Sequence, residues 1–245
     1  MTMTITELER SLRALRLSGM TATLETRALQ VAQQQMDFIE AFSALVQDEL
    51  DRRRSRLIDR RYALSGLTER KDLKDFDWQY NPKNPRRDIL ELANLKFIDQ
   101  REDALFIGSP GVGKSHIAKA LALLAVQRGY TVFYREAHVL VDDIHQAREL
   151  GELRKYRATI KAADLVVIDD LFLRKLPPNA GDELADLIMS RYEKSSTLIT
   201  SNRDIDDWAK LLGDTVIVTP LLDRLMHHGH LLNMEGTQSF CSLHL

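Results

Sequence analysis

Apolar positions follow two rhythms along this chain. Through residues 1–75 they recur at helical spacing, with Ile5, Leu8, Leu12 and Leu15 forming one stripe and Phe38, Phe42 and Leu45 another. No run there reads as a convincing strand. A small all-helical unit is the expectation. Asn81-Pro82-Lys83-Asn84-Pro85 carries two prolines in a short polar stretch and reads as a linker, after which Arg86 to Phe97 resumes a helix. Beyond residue 100 the pattern changes. Ala104 to Ile107 is a short apolar run suited to a buried strand. Ile117, Leu121 and Leu124 then return to helical spacing, and Gly129 stands where a helix of that phase ends. Leu165 to Ile168 and Thr197 to Thr200 are further strand-like segments, and Leu221-Leu222-Asp223-Arg224-Leu225 is amphipathic. The alternation predicts an α/β fold with a parallel sheet flanked by helices over residues 76–245. Residues 76–100 act as linker and leading helix.

The junction between the first strand and its helix carries the most specific chemistry. Gly108-Ser109-Pro110-Gly111-Val112-Gly113-Lys114-Ser115 is a complete phosphate-binding loop, followed by His116. Its three glycines allow a tight turn that aims backbone N–H groups at phosphate oxygens. Lys114 supplies a positive charge to the β and γ phosphates of a nucleoside triphosphate, and the Ser115 hydroxyl is a magnesium ligand. The next strand ends in Asp169 and Asp170. The first is placed to hold magnesium through water, and the second to orient or deprotonate a water attacking the γ phosphate. Asn202 follows the Thr197 to Thr200 segment at the edge where open α/β sheets bind ligands, and a neutral amide there can sense the γ phosphate. Arg224 is either a finger offered to a neighbouring subunit's nucleotide or a partner of Asp223 within its own chain.

In order and spacing these motifs resemble the IstB-type helper ATPases of bacterial insertion sequences, which belong with the DnaC-like helicase loaders in the AAA+ class. Phe76-Asp-Trp78, Asn81-Pro-Lys83, Arg191-Tyr-Glu193, Ser196 to Asn202, Trp208 and Leu222 to His228 share the likeness. So does the opening Leu12 to Met20, and it therefore spans nearly the whole chain. The resemblance implies an ATP- and Mg2+-dependent protein that binds double-stranded DNA, assembles into homo-oligomers on it in the ATP state, and assists a transposase. Lys114, Asp169, Asp170, Asn202 and Arg224 would be catalytic, Gly108 to His116 would bind the nucleotide, and Ser115 with Asp169 would hold the metal. Residues 1–75 would bind DNA or the partner. Two departures stand out. Phe172 occupies a position where such proteins commonly carry glycine, and Glu235-Gly-Thr-Gln-Ser239 differs from the usual Lys-Gly-Glu-Ser. About twenty residues follow Arg224, too few for the C-terminal helical lid many AAA+ proteins append.

Composition narrows the rest. The chain has 245 residues, 44% of them hydrophobic, enough for one α/β core and a smaller module. Cys241 is the single cysteine, so no intrachain disulfide forms. Glu7, Glu9 and Arg10 interrupt the N-terminus, and no uncharged apolar run reaches membrane-spanning length. The expectation is a cytoplasmic protein with no membrane association. A formal net charge of −2 argues against DNA binding through bulk charge. Local clusters matter more. Arg52, Arg53, Arg54, Arg56, Arg60 and Arg61 stand against two aspartates within 51–61, either as a DNA-facing helix or as a solvated face balanced by Asp48 and Glu49. Arg148, Arg154, Lys155, Arg157 and Lys161 form the second candidate. His227, His228 and His230 lack the carboxylate or cysteine company of a metal site and read as packing at the core edge. Trp78 and Tyr80 are candidates for stacking on adenine, with packing between domains the favoured reading. No base-recognition motif is present, so DNA binding is expected to rest on phosphates and shape.

Three classes of function follow: a transposition helper, a helicase loader with a similar core, and a small-molecule kinase. The last is disfavoured, since Asn202 and Arg224 follow in AAA+ order and no acceptor site is evident.

Overall fold

The computed structural model describes residues 3–33, 35–174, 176–177, 180–212, 215–227 and 229–236. Its contacts divide the chain into two compact units, Met1–Arg60 and Arg61–Leu245.

The first unit holds α1 (Ile5–Ala14), α2 (Ser18–Ala32) and most of α3 (Phe38–Ser65), which runs unbroken past the division. A capping box starts α1: Thr4 Oγ1 accepts from the Glu7 backbone N–H, and the Glu7 carboxylate accepts from that of Thr4 at 2.8 Å. Helix α2 has no local side-chain cap. Its N-terminus is satisfied across the unit, where Glu49 of α3 accepts the Gly19 N–H at 2.6 Å. The approach requires glycine, since a Cβ at Gly19 would lie 2.5 Å from Glu49 Cα. Burial favours the proton on Glu49, but Arg53 at 2.6 Å and the α2 backbone outweigh it and hold its pKa below the ordinary value. Arg27 forks onto both oxygens of Asp48, each at 3.1 Å.

In the second unit a 3-10 turn (Leu73–Asp75), α4 (Arg86–Leu92) and α5 (Lys96–Gln100) precede the sheet. The single helix expected over Arg86 to Phe97 is two helices. Leu95 stops it by adopting φ 61°, a left-handed conformation with no glycine or proline to announce it. Packing explains the break, because Leu95 and Phe97 are both buried. The remaining elements are β1 (Asp103–Gly108), α6 (Lys114–Arg128), β2 (Val132–Glu136), α7 (Ala137–Glu149), α8 (Leu153–Ala162), β3 (Leu165–Leu171), α9 (Ala180–Arg191), β4 (Ser196–Ser201), α10 (Ile205–Leu212), α11 (Thr215–His227) and β5 (Gly229–Met234).

All neighbouring strands are parallel, in the order β2-β3-β4-β1-β5. Central strands of a parallel sheet are covered on both faces, so β1, β3 and β4 are buried almost throughout instead of alternating. Arg191 is 1% exposed at the end of α9. It donates to Ile160 O at 2.8 Å and Ser196 O at 2.7 Å, tying α8 to the start of β4. Burial lowers its pKa to about 10, opposed by the Asp103 and Asp164 charges. Asp103 accepts from Thr197 N–H at 2.7 Å, and burial pushes its pKa up to about 6.

Candidate functional site

Strand β1 delivers the phosphate loop to the C-terminal edge of the sheet, and α6 leaves it at Lys114. Gly113 has φ 100°, and a Cβ there would lie 2.5 Å from Phe76 Cε2. Only glycine satisfies both conditions. Lys114 is buried, and its ammonium donates to Gly108 O at 2.7 Å and Ser109 O at 2.8 Å. Burial lowers its pKa, while the charges of Asp170 and Asp169 pull the other way. Ser115 Oγ lies 3.4 Å from Asp170 Oδ1.

The two carboxylates at the end of β3 have different surroundings. Asp169 is 1% exposed, with Oδ2 accepting the Tyr134 hydroxyl at 2.6 Å and Oδ1 accepting the Thr200 hydroxyl at 2.5 Å. Asp170 turns outward at φ 54°, its carboxylate beside Ser115 and its N–H donating to Thr200 Oγ1 at 2.8 Å. Burial, then the neighbouring Asp169 charge, raise the Asp170 pKa. Asn202 follows β4, and its Oδ1 is buried without a hydrogen-bond partner among the described residues. An orphaned acceptor at that place is poised for an incoming donor.

Pro110, Gly111, Lys114, Ser115, Asp170 and Asn202 meet in one cleft of about 610 Å³, closed on another side by Phe76 and His116. Ser109 lines a second, polar cavity behind the loop, which Asn202 also reaches. The linker straps the loop. Asn84 Nδ2 donates to Val112 O at 3.1 Å, and His116 Nε2 lies 3.1 Å from Asp72 O. The aromatic ring facing the cleft is Phe76. Trp78 packs edge-on behind it at 4.8 Å, with Arg86 over its own ring, and neither Trp78 nor Tyr80 lines the cleft.

Arg224 is exposed on α11 and does not line its own cleft. Its guanidinium lies 5.6 Å from the Tyr192 ring centre and 2.9 Å from Met189 Sδ, with no ion pair to Asp223 among the described residues. Arg52, Arg54, Arg56 and Arg60 are exposed on α3, while Arg53 is engaged by Glu49 and Arg61 is half-buried. On α8, Arg154, Lys155 and Lys161 are exposed. Arg157 differs, pairing with Glu183 of α9 at 2.7 Å, and Arg148 of α7 takes the other oxygen of the same carboxylate. That clasp fastens α7 and α8 to α9 and makes these two arginines packing residues as well as surface charges.

His230 lies 2.8 Å from Glu102 and His227 meets the Tyr192 hydroxyl at 3.3 Å. His228, Cys241 and residues 237–239 lie outside the described residues. Among the described residues no helix is long and apolar enough to cross a membrane, and no cluster of His, Cys, Asp or Glu has metal-site geometry. Tyr134, Thr200 and Asn84 escape a reading of the sequence. Each acts through a partner brought near only by strand register or by the fold of the linker.

Residues 10–241 match the family described as IstB-like ATP binding protein. An insertion-sequence IS5376 protein of Geobacillus stearothermophilus, named for ATP binding, is 35% identical over 201 residues, 82% of this chain and 80% of that one. A similarly named IS21 protein of Pseudomonas aeruginosa is 30% identical over 230 residues, covering 94% and 87%. Among solved structures, the DnaC helicase loader superposes with TM-score 0.52 at 23% identity over 64% of this chain and 94% of that one. AMPPCP-bound DnaA from Aquifex aeolicus gives 0.57 at 22% identity, and the match spans 69% of this chain and 51% of the DnaA chain. At these identities the likeness is one of fold, that of the AAA+ phosphate-loop ATPases.

Proposed function

The chain belongs to the family of IstB-like ATP binding proteins, and from that membership and the cleft we propose an ATP-hydrolysing assembly factor. It binds double-stranded DNA, forms homo-oligomers there in the ATP state, and assists the transposase of its insertion sequence. The carrying observation is that Lys114, Ser115, Asp170 and Asn202 face one cleft while Arg224 stands exposed outside it.

In this reading Lys114 turns from the Gly108 and Ser109 carbonyls to the β and γ phosphates, and the loop N–H groups take the remaining oxygens. Hard oxygen donors suit Mg2+, and the Ser115 hydroxyl lining the cleft is one. Ser115 would hold the ion, and Asp169, both of whose oxygens already accept hydroxyls, would act through water. When bound, Mg2+ would supply positive charge to offset that of the phosphates. Asp170 accepts the proton of the water that attacks the γ phosphorus, and the raised pKa makes it a stronger base than an ordinary aspartate. Asn202 orients that water or the γ phosphate. Arg224, resting on Tyr192, reaches the γ phosphate of a neighbouring subunit. The exposed arginines of α3, with Arg154 and Lys155, meet DNA phosphates.

Sedimentation of the protein with a duplex of defined length tests this reading. A non-hydrolysable ATP analogue is expected to drive large assemblies on DNA, and ADP to leave small ones, since the γ phosphate belongs to the subunit interface. Equal sizes with both nucleotides would overturn it. Pull-down by a transposase of the same insertion-sequence family, against the replicative helicase, separates this reading from a helicase loader.

A further inference from the structure

Two consecutive residues of a regular strand point to opposite faces, so Asp169 and Asp170 would not serve one site if β3 were straight. Register shows how they do. Ile168 pairs with Ile199 and Leu171 with Ser201, so Asp169 and Asp170 together oppose the single residue Thr200. This is a β-bulge, and it brings Asp170 to φ 54°. The Thr200 hydroxyl serves both members, accepting the Asp170 N–H at 2.8 Å and donating to Asp169 Oδ1 at 2.5 Å. The other oxygen of Asp169 takes the Tyr134 hydroxyl from β2 at 2.6 Å. Both oxygens of Asp169 and the Thr200 hydroxyl are thus engaged, while the Asp170 carboxylate faces the cleft and accepts from Ser115 Oγ at 3.4 Å.

We infer that Thr200 is a positioning residue for hydrolysis, holding the bulge that separates the buried Asp169 from the cleft-facing Asp170, with Tyr134 fixing the second oxygen of Asp169. Neither side chain touches the nucleotide in this account. The left-handed turn at Asp170 is unfavourable for a residue with a Cβ, and the Thr200 acceptor is what retains it.

The inference rests on the proposed hydrolysis, and Asp170→Asn separates the two. If Asp170→Asn turns over ATP like the wild type, the hydrolysis reading fails. If it is inactive while the Thr200 variants behave normally, only the present inference fails. Thr200→Val keeps the shape and β-branching of the side chain and removes both hydrogen bonds. Its kcat is expected to fall by about tenfold to a hundredfold, with KM for ATP and fluorescent-nucleotide affinity within about twofold of wild type. Thr200→Ser restores the hydroxyl and most of the turnover. Mn2+ binding to the nucleotide complex, read by electron paramagnetic resonance, weakens in Thr200→Val and recovers in Thr200→Ser.

Wild-type kcat in Thr200→Val, or a Thr200→Ser as slow as Thr200→Val, would overturn the inference. So would a parallel loss of nucleotide affinity, which marks general disruption. Should Thr200→Val fail to fold, Tyr134→Phe carries the test, with a lower kcat at unchanged KM expected and an unchanged kcat contradicting it.

Discussion

Phe172 offers a test of how the turn after the acid pair is held, because two effects of known sign oppose each other there. Its φ of 67° is left-handed, a conformation that costs a residue with a Cβ about 1–2 kcal/mol. Its ring is nonetheless buried, edge-on to the fully buried Trp208 at 5.4 Å. Removing such a ring costs about 3–5 kcal/mol. Phe172→Ala loses the ring and keeps the strain. Phe172→Gly loses the ring and relieves the strain, at an entropic cost below about 1 kcal/mol. Glycine is therefore expected to be the more stable replacement by up to about 1 kcal/mol, and alanine to lower Tm by about 6–20 °C. Thermal and urea unfolding followed by Trp208 fluorescence in a Trp78→Phe background reads both values. An alanine variant at least as stable as the glycine one would refute the strain. Losses under about 1 kcal/mol in both would refute the packing.

Lys114→Ala removes the only loop charge facing the phosphates and is expected to weaken ATP binding by at least about tenfold with the fold retained; equal affinities by calorimetry would contradict the site. Burial raises the Asp103 pKa from 3.8 to about 6, so the folded state holds this proton more tightly than the unfolded chain. The stability it contributes is complete below pH 3.8 and is lost as pH rises through about 6, a change of about 3 kcal/mol. Asp103→Asn should remove that component from the pH dependence of urea unfolding, and an unaltered profile would count against it. Arg52, Arg56 and Arg60 repeat every fourth residue on α3 and share one face, whereas Arg53 sustains Glu49 and is unsuitable for a binding test. Replacing the three by Ser is expected to weaken all duplexes alike and reduce the salt slope by about 0.9 for each lost phosphate contact; an unchanged titration would make them a solvated face.

The phosphate loop was legible because its chemistry lies on eight adjacent residues, and β1, β3 and β4 because central parallel strands are written as apolar runs. Contacts set by register were not. Thr200 looks like any β-branched strand residue until the bulge brings Asp169 and Asp170 opposite it. Leu95 breaks its helix without glycine or proline, since burial of its side chain decides the backbone. The pairing of Arg148 and Arg157 with Glu183 joins three helices, and a count of charge along the chain finds only two free cations there. Phe76 and Trp78 were both visible as aromatics near the linker, but which one faces the cleft depends on how the strap crosses Gly113.

Mixing two inactive variants tests most directly the proposal that a second copy of the chain completes the nucleotide site. Arg224→Ala keeps an intact cleft and lacks the finger, while Lys114→Ala keeps the finger and lacks the cleft's charge. Each alone is expected to hydrolyse ATP about 10³-fold more slowly than the wild type. Combined on DNA, with mixed assembly confirmed by sedimentation, they should recover part of the turnover, because some interfaces then join an intact cleft to an intact Arg224. Mixed assemblies with no recovered hydrolysis would contradict the account.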